Sequence, residues 1–272
     1  MIPTGLILFI VFLFGVVIGS FLNVVILRLR TGVGVQGRSM CMSCGTELHW
    51  LELIPVLSFV FQGGRCTGCK ARISWQYPIV EVVTGILYVI VLSRLLDAGL
   101  TVSHIVTTLI YLGAVSLFVV ITAYDLRHKI IPDGLVYAFD VLALVSVFVG
   151  GMGGSAPLLH APHVWTLLAG PVLALPFALL WLVSKGTWIG LGDAKLILGI
   201  GWLLGMSGGV NALVLSFWSG AVVSIVWLLV MKHGIKRKTE IPFGPFLILG
   251  TLIVLFWGIT VLDIRLLGIL FQ

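Results

Sequence analysis

Asp125 closes one apolar run and opens Asp125-Leu-Arg-His-Lys-Ile-Ile131-Pro132-Asp133, while Asp193 closes Gly190-Leu191-Gly192-Asp193 and opens another. The chain has only ten Asp and Glu among 272 residues, so two acids at the rims of apolar runs are the first candidates for proton chemistry. Two carboxylates sharing one proton supply a general base that activates water and an acid that polarises a scissile carbonyl. That is the chemistry of an aspartic protease set in a membrane, and it needs no covalent intermediate. Gly190 and Gly192 would let an extended peptide backbone come close to Asp193. Each aspartate taken singly is equally well a helix cap or a topological residue. Asp133 reads as the N-cap of the helix that follows the Ile131-Pro132 break. Asp140, one to two turns further on, either faces the helix bundle or reaches back to its rim.

A second constellation is made of sulfur. Cys41-Met-Ser-Cys44 and Cys66-Thr-Gly-Cys69 are two CxxC knuckles separated by 21 residues. One tight turn can present two thiolates at about 2.3 Å from a zinc ion, and two such turns close a tetrahedral site. Closure leaves no open coordination position, which fits a structural rather than a catalytic zinc. Gly45 and Gly68 stand where a knuckle needs backbone freedom. Free thiols or disulfides are the alternative, and a cytoplasmic location disfavours stable disulfides. A module this small gains from metal what it cannot gain from a core.

These groups must be held by a hydrophobic chain. Sixty per cent of the residues are hydrophobic and 10% are charged, which excludes an ordinary soluble domain. Apolar stretches at 5–27, 77–96, 103–124, 134–151, 164–184, 194–206, 209–231 and 244–262 suit a bilayer that needs roughly 20 residues per helix. The expected fold is an all-α polytopic membrane protein of about eight transmembrane helices. Its divisions are a first helix at 1–27, a four-cysteine zinc module at 28–76 and a peptidase bundle at 77–272. The short sixth span is tilted, broken or re-entrant. Residues 1–27 lack a charged n-region and a small-residue cleavage site, so they read as a retained helix rather than a signal peptide. Residues 263–272, with Asp263 and Arg265, are expected to return to the interface.

Fourteen of the sixteen Lys and Arg fall in 28–76, 125–133, 185–195 and 232–240. The positive-inside rule places those segments in the cytoplasm and both termini outside. The net charge of +6 is then a topological signal aimed at the anionic inner leaflet, with no nucleic-acid partner implied. Lys236, Arg237 and Lys238 form a basic cytoplasmic rim. His160 and His163, in a Gly- and Pro-rich outer loop, lack a third ligand for a metal. No Gly-x-Ser-x-Gly elbow, His-Glu-x-x-His or Walker loop occurs. Two other classes use the same acids or cysteines: a proton- or ion-coupled transporter, which places its acids near the midplane, and a non-enzymatic membrane scaffold that docks an assembly partner through the zinc module.

Taken together, several stretches carry a resemblance. They are Gly19-Ser-Phe-Leu-Asn23-Val24, Gly37-Arg38-Ser39, Leu53-Ile-Pro55-Val-Leu-Ser58 between the knuckles, Tyr77-Pro78-Ile-Val-Glu81, Asp125 with Ile131-Pro132-Asp133, Gly190-Leu-Gly192-Asp193, and Ile241-Pro-Phe-Gly244-Pro245. The chain resembles the bacterial type IV prepilin peptidases, bifunctional leader peptidases and N-methyltransferases of the Gly-x-Gly-Asp group. The resemblance implies an inner-membrane aspartic peptidase that removes the leader of type IV prepilins, or of pseudopilins of secretion or DNA-uptake machines, after a glycine on the cytoplasmic side. It implies Asp125 and Asp193 as the catalytic pair, and Cys41, Cys44, Cys66 and Cys69 as the metal ligands. It also implies methylation of the new N-terminus, usually Phe, by S-adenosylmethionine. No glycine-rich strand–turn–helix for that donor is present; Gly63, Gly64 and Glu81 are the places to look. Archaeal flagellin-processing relatives lack the cysteine module. Presenilin-type proteases share Tyr124-Asp125 but not the Ile-Pro-Asp continuation.

Overall fold

The computed structural model describes residues 3–31, 34, 36–149, 162–230 and 241–262. Among the described residues eight α-helices run in order: α1 (Thr4–Arg28), α2 (Leu57–Phe61), α3 (Gln76–Ala98), α4 (Val102–His128), α5 (Asp133–Phe148), α6 (Val164–Ser184), α7 (Leu191–Val230) and α8 (Gly244–Trp257). Five of them, α1, α3, α4, α6 and α7, are long and apolar enough to cross a membrane. Helix occupies all eight expected stretches, with α7 covering two of them. Gly205, at φ 71° and ψ −178°, breaks α7 where the sequence expectation separates spans 194–206 and 209–231. His160, Lys236, Arg237, Lys238, Asp263 and Arg265 lie outside the described residues.

The chain divides into two units, Met1–Gly99 and Leu100–Gln272. In the first, α1 packs on α3, which the sequence expectation groups with the later helices. The contact is a stripe of glycines. A Cβ on Gly15 would lie 2.8 Å from the Cα of Gly85, and one on Gly19 would lie 2.7 Å from the Cα of Glu81. Hydrocarbon supplies no hydrophobic drive between helices, so close backbone approach at small residues is how such a pair gains attraction. Asn23 donates to the Tyr77 carbonyl at 3.1 Å and adds a polar tie. At the end of α1 the Arg28 guanidinium gathers the carbonyls of Gly34, Gln36 and Arg38 at 3.1, 2.7 and 3.0 Å, which turns the chain into the cysteine module.

The second unit is a helical bundle in which α7 packs on α5, α6 and α8. Its core includes Phe118, Ile121, Phe139, Leu196, Ile197 and Leu247, and the Phe118 and Phe139 rings lie 4.7 Å apart. In hydrocarbon an unmet backbone group costs several kcal/mol, and two side chains prevent that cost here. Pro171 lacks an N–H, so the Leu167 carbonyl one turn before it has no helical donor. Trp202 Nε1 donates to that carbonyl at 2.9 Å. Just past α8, residues 258–262 are not helical. Fully buried Asn211 accepts the N–H groups of Val261 and Leu262 at 2.7 and 2.8 Å, and returns an N–H to the Leu262 carbonyl at 3.2 Å.

Replacing Asn211 by Leu strands two amide donors, each worth about 1–3 kcal/mol when buried. We expect the N211L protein to unfold at lower temperature in detergent than Asn211→Gln. Equal midpoints for N211L and wild type would show that the staple contributes nothing.

Candidate active site

Asp125 lies in the last turn of α4 and is buried. The helix stops just after it: Lys129 turns left-handed, φ 55°, and returns its N–H to the Asp125 carbonyl at 2.7 Å. Ile131-Pro132 then starts α5. Proline at 132 presets its own φ and forbids helix at the residue before it, so the reversal is written locally.

Asp193 occupies the third position of α7. Gly190 precedes the helix, and the Asp193 carboxylate accepts the Gly190 N–H. This is the acidic half of a capping box, in which a side chain reaches back to a backbone donor that the helix cannot satisfy. A Cβ on Gly190 would sit 3.3 Å from Asp193 Oδ2, tight against the carboxylate.

A third helix start completes the site. Gly244 opens α8 with Pro245 behind it, and its N–H donates to the Asp125 carboxylate. A Cβ on Gly244 would fall 2.6 Å from Asp125 Oδ2 and 3.1 Å from Ile131 Cδ1. A Cβ on Gly192 would fall 2.9 Å from Ile131 Cβ. Asp125, Ile131, Gly192 and Gly244 therefore share one small volume, with room for the carboxylate only because two residues have no side chain. The Asp125 charge acts repulsively on Asp193. Helix N-termini carry partial positive charge, so the start of α7 faces one carboxylate and the start of α8 the other.

Asp133 departs from its expected role. Asp133 makes no side-chain cap to α5; Pro132 holds the capping position. The Asp133 carboxylate instead accepts from Lys195 Nζ at 2.9 Å, with the ammonium 4.8 Å above the Tyr137 ring, so it ties the start of α5 to the start of α7. Asp140 is buried at the α5–α7 contact, where its Oδ1 blocks any side chain at Gly199 and has no hydrogen-bond partner. Gly244 and Ile131 were readable only as members of motifs; nothing in their residue types announced contact with Asp125.

The four cysteines converge in the first unit. Their Sγ atoms all lie within 4.8 Å of one another, and Cys41 and Cys69 are 3.8 Å apart. Four sulfurs at about 2.3 Å from one centre are separated by about 3.8 Å, so the set fits a tetrahedral metal. The two knuckles are copies of one turn. Cys41 N–H donates to the Thr46 carbonyl and Cys66 N–H to the Ala71 carbonyl, each at 2.9 Å. Gly45 N–H then returns to Cys41 at 2.8 Å, and Lys70 N–H to Cys66 at 3.0 Å. The left-handed positions are Gly45, φ 72°, and Lys70, φ 61°. Gly68 is not one of them, and a Cβ there would meet nothing closer than 3.8 Å, so its glycine is not required by the turn. The Thr46 hydroxyl and amide draw the Cys44 thiol down to about 6, and the Cys69 and Gly68 amides draw Cys66 down. Neighbouring thiols push Cys69 up to about 11 against the Ala71 amide. Thiols this close ionise together only with a cation among them.

Comparison with known proteins follows the same division. Residues 13–95 match the Bacterial Peptidase A24 N-terminal domain, and residues 112–225 match the Type IV leader peptidase family. A prepilin leader peptidase/N-methyltransferase of Aeromonas salmonicida strain A449 is 33% identical, covering 91% of this chain and 90% of the relative. Proteins of the same name from Xanthomonas campestris pv. campestris and Pseudomonas aeruginosa are 31% and 30% identical, over 92% and 90% of this chain and 91% and 89% of their own lengths. No solved structure matches the chain significantly.

The knuckle geometry makes a discriminating prediction. Gly45→Ala forces a side chain into a left-handed turn and should weaken metal retention, at a cost of about 1 kcal/mol. Gly68→Ala and Lys70→Gly should leave it unchanged or improved. Chelator titration of metal release reads all three; equal release by G45A and G68A would refute the assignment.

Proposed function

Because the chain belongs to the type IV leader peptidase family, we propose that it cleaves prepilins or pseudopilins with Asp125 and Asp193 as its catalytic pair. It is a multi-pass inner-membrane enzyme, a leader peptidase and N-methyltransferase. The observation that best supports the pair is the shared volume of Asp125, Ile131, Gly192 and Gly244, which brings the start of α7, beside Asp193, up to the Asp125 carboxylate. Functionally the chain divides into an anchoring helix at 1–27, the cysteine module at 28–76 and the peptidase bundle at 77–272.

The pair holds one proton between two carboxyl groups. The ionised carboxylate takes a proton from water as its oxygen bonds to the scissile carbonyl carbon. The protonated partner gives its proton to the carbonyl oxygen, so a neutral gem-diol forms. As the C–N bond breaks, the first carboxyl returns its proton to the departing amine, and the second regains one from a diol hydroxyl. The carboxylic product leaves with the pair restored. Backbone donors at Gly190 and Gly244 hold the carboxyls in orientation throughout. Gly190 and Gly192 bound the approach of the substrate backbone to Asp193.

The four-thiolate set takes zinc as a structural ion, since four soft ligands at tetrahedral spacing suit it and leave no open position. S-adenosylmethionine supplies the methyl group for the second activity, and no glycine-rich strand–turn–helix for it occurs among the described residues. The lysine and arginine distribution supports both termini outside, with the cysteine module and the aspartates on the cytoplasmic side. Acids at helix ends, rather than at the midplane, favour the peptidase over an ion-coupled transporter.

Mass spectrometry of a prepilin incubated with wild type, Asp125→Asn and Asp193→Asn, with and without S-adenosylmethionine, tests this reading. Leader loss in wild type alone is expected, with an added methyl group when the donor is present. Cleavage by both variants would end the assignment. Gly244→Ala should lower kcat at least tenfold with the fold retained, since its Cβ displaces the Asp125 carboxylate; an unchanged kcat would separate Gly244 from the chemistry.

A further inference from the structure

Between the two knuckles the chain presents an apolar surface. Across residues 50–61 every exposed side chain is apolar, including Trp50 at 72%, Leu57 at 54%, Val60 at 65% and Phe61 at 84%. The two polar side chains of this stretch, Glu52 and Ser58, are half-exposed. Glu52 accepts the His49 N–H at 2.8 Å and the Thr67 hydroxyl, which hold its carboxyl below the usual carboxylate range, the hydroxyl contributing most. A contiguous apolar face on a loop module is an interaction surface.

Its attachment identifies the partner. Pro55-Val56-Leu57 is a γ-turn: Val56 has φ 60° and ψ −52°, and Leu57 N–H donates to the Pro55 carbonyl at 2.6 Å. A β-branched residue in that conformation is strained and persists only where its surroundings impose it. Here Glu81 imposes it. Buried within α3, the Glu81 carboxylate accepts the Val56 N–H at 2.7 Å and a hydrogen bond from Ser20 of α1. The turn is thus pinned to the pair of helices that crosses the membrane. Phe59 of α2 packs on Trp75 at 4.9 Å between ring centres. Trp75 heads an exposed stripe at helical spacing, continuing through Ile79, Val83 and Ile86 along α3. Through the Phe59–Trp75 contact the apolar surface of 50–61 adjoins this exposed stripe of α3. Exposed Arg65, Lys70 and Arg72 follow on the second knuckle, with the charge that anionic headgroups attract.

We propose that Trp50–Phe61 lies in the bilayer interface, a monotopic insertion that seats the cysteine module on the phospholipid surface. Tryptophan at its leading end and a phenylalanine at its far end match what the interfacial region selects. The Glu81–Val56 bond fixes the depth of the insertion relative to α3. This role concerns the surface of the module alone and stands apart from the peptidase reading.

The test uses the full-length protein in vesicles of phosphatidylethanolamine and phosphatidylglycerol. A photoreactive benzoylphenylalanine replaces Leu57, Phe61 or, as a control on the first knuckle, Glu47. All three positions are exposed, so the bulky side chain displaces no core. Intact-mass analysis after irradiation should show lipid adducts at 57 and 61 in several-fold excess over 47. Equal adduct levels at the three sites, or adducts to added prepilin with none to lipid, would overturn the proposal. The second of those outcomes would assign the face to the substrate's apolar helix.

Discussion

Two carboxylates close enough to feel each other's charge repel, and a fold that keeps them so must supply compensation from fixed groups. Around Asp125 and Asp193 the compensation is backbone. The Gly190 and Gly244 amides each donate to one carboxylate, and each belongs to a helix start whose dipole favours negative charge. Those donors reach the acids because glycine removes the Cβ that would stand between them. The rest of the second unit follows from this demand. Two helix starts, of α7 and α8, must be brought to the last turn of α4, and that requires the reversal at Lys129–Pro132, the break at Gly205 and the core that packs α7 against α5, α6 and α8.

A membrane interior makes the same demand in other places. Water is absent there, so each backbone group the helices leave over must find a partner in the protein. Trp202 answers for the carbonyl that Pro171 abandons, and Asn211 answers for the amides beyond α8. Both partners sit on α7. The helix that presents Asp193 is therefore also the one that absorbs the irregularities of its neighbours. Gly201 lets the backbone of α6 at Gly170 close on it, and Gly199 and Gly209 leave room for the side chains of Phe139 and Asp140 and of Leu173.

The first unit solves a different problem. The stretch between α1 and α3 has little core of its own, and four sulfurs at tetrahedral spacing are placed to hold a metal that would cross-link it. Its two knuckles repeat one hydrogen-bonded turn, while Glu52 fastens the intervening chain to Thr67 in the second knuckle and Glu81 fastens it to the helix pair. A buried carboxylate that holds a strained turn is an unusual tether. It is intelligible if the turn must be presented at a fixed height above α3.

The apolar runs, the two aspartates at their ends and the paired CxxC knuckles were legible in the chain itself. Each is a local property: run length against bilayer thickness, an acid where hydrocarbon stops, and two thiols per tight turn. The division of α7 was partly legible, since its apolar residues already read as two spans, 194–206 and 209–231. What only tertiary structure decided was which side chains answer one another across elements. Asp133 reads as a cap in sequence, and becomes the partner of Lys195 because α5 and α7 start side by side. Gly68 reads as the turn residue of its knuckle, yet Lys70 takes the left-handed position, since the hydrogen-bonded repeat and not the residue type sets the register. Gly244 gives no sign in sequence that it donates to Asp125, more than a hundred residues away. Contacts at that separation depend on how helices pack, and packing is decided by the sum of many close approaches that no single residue encodes.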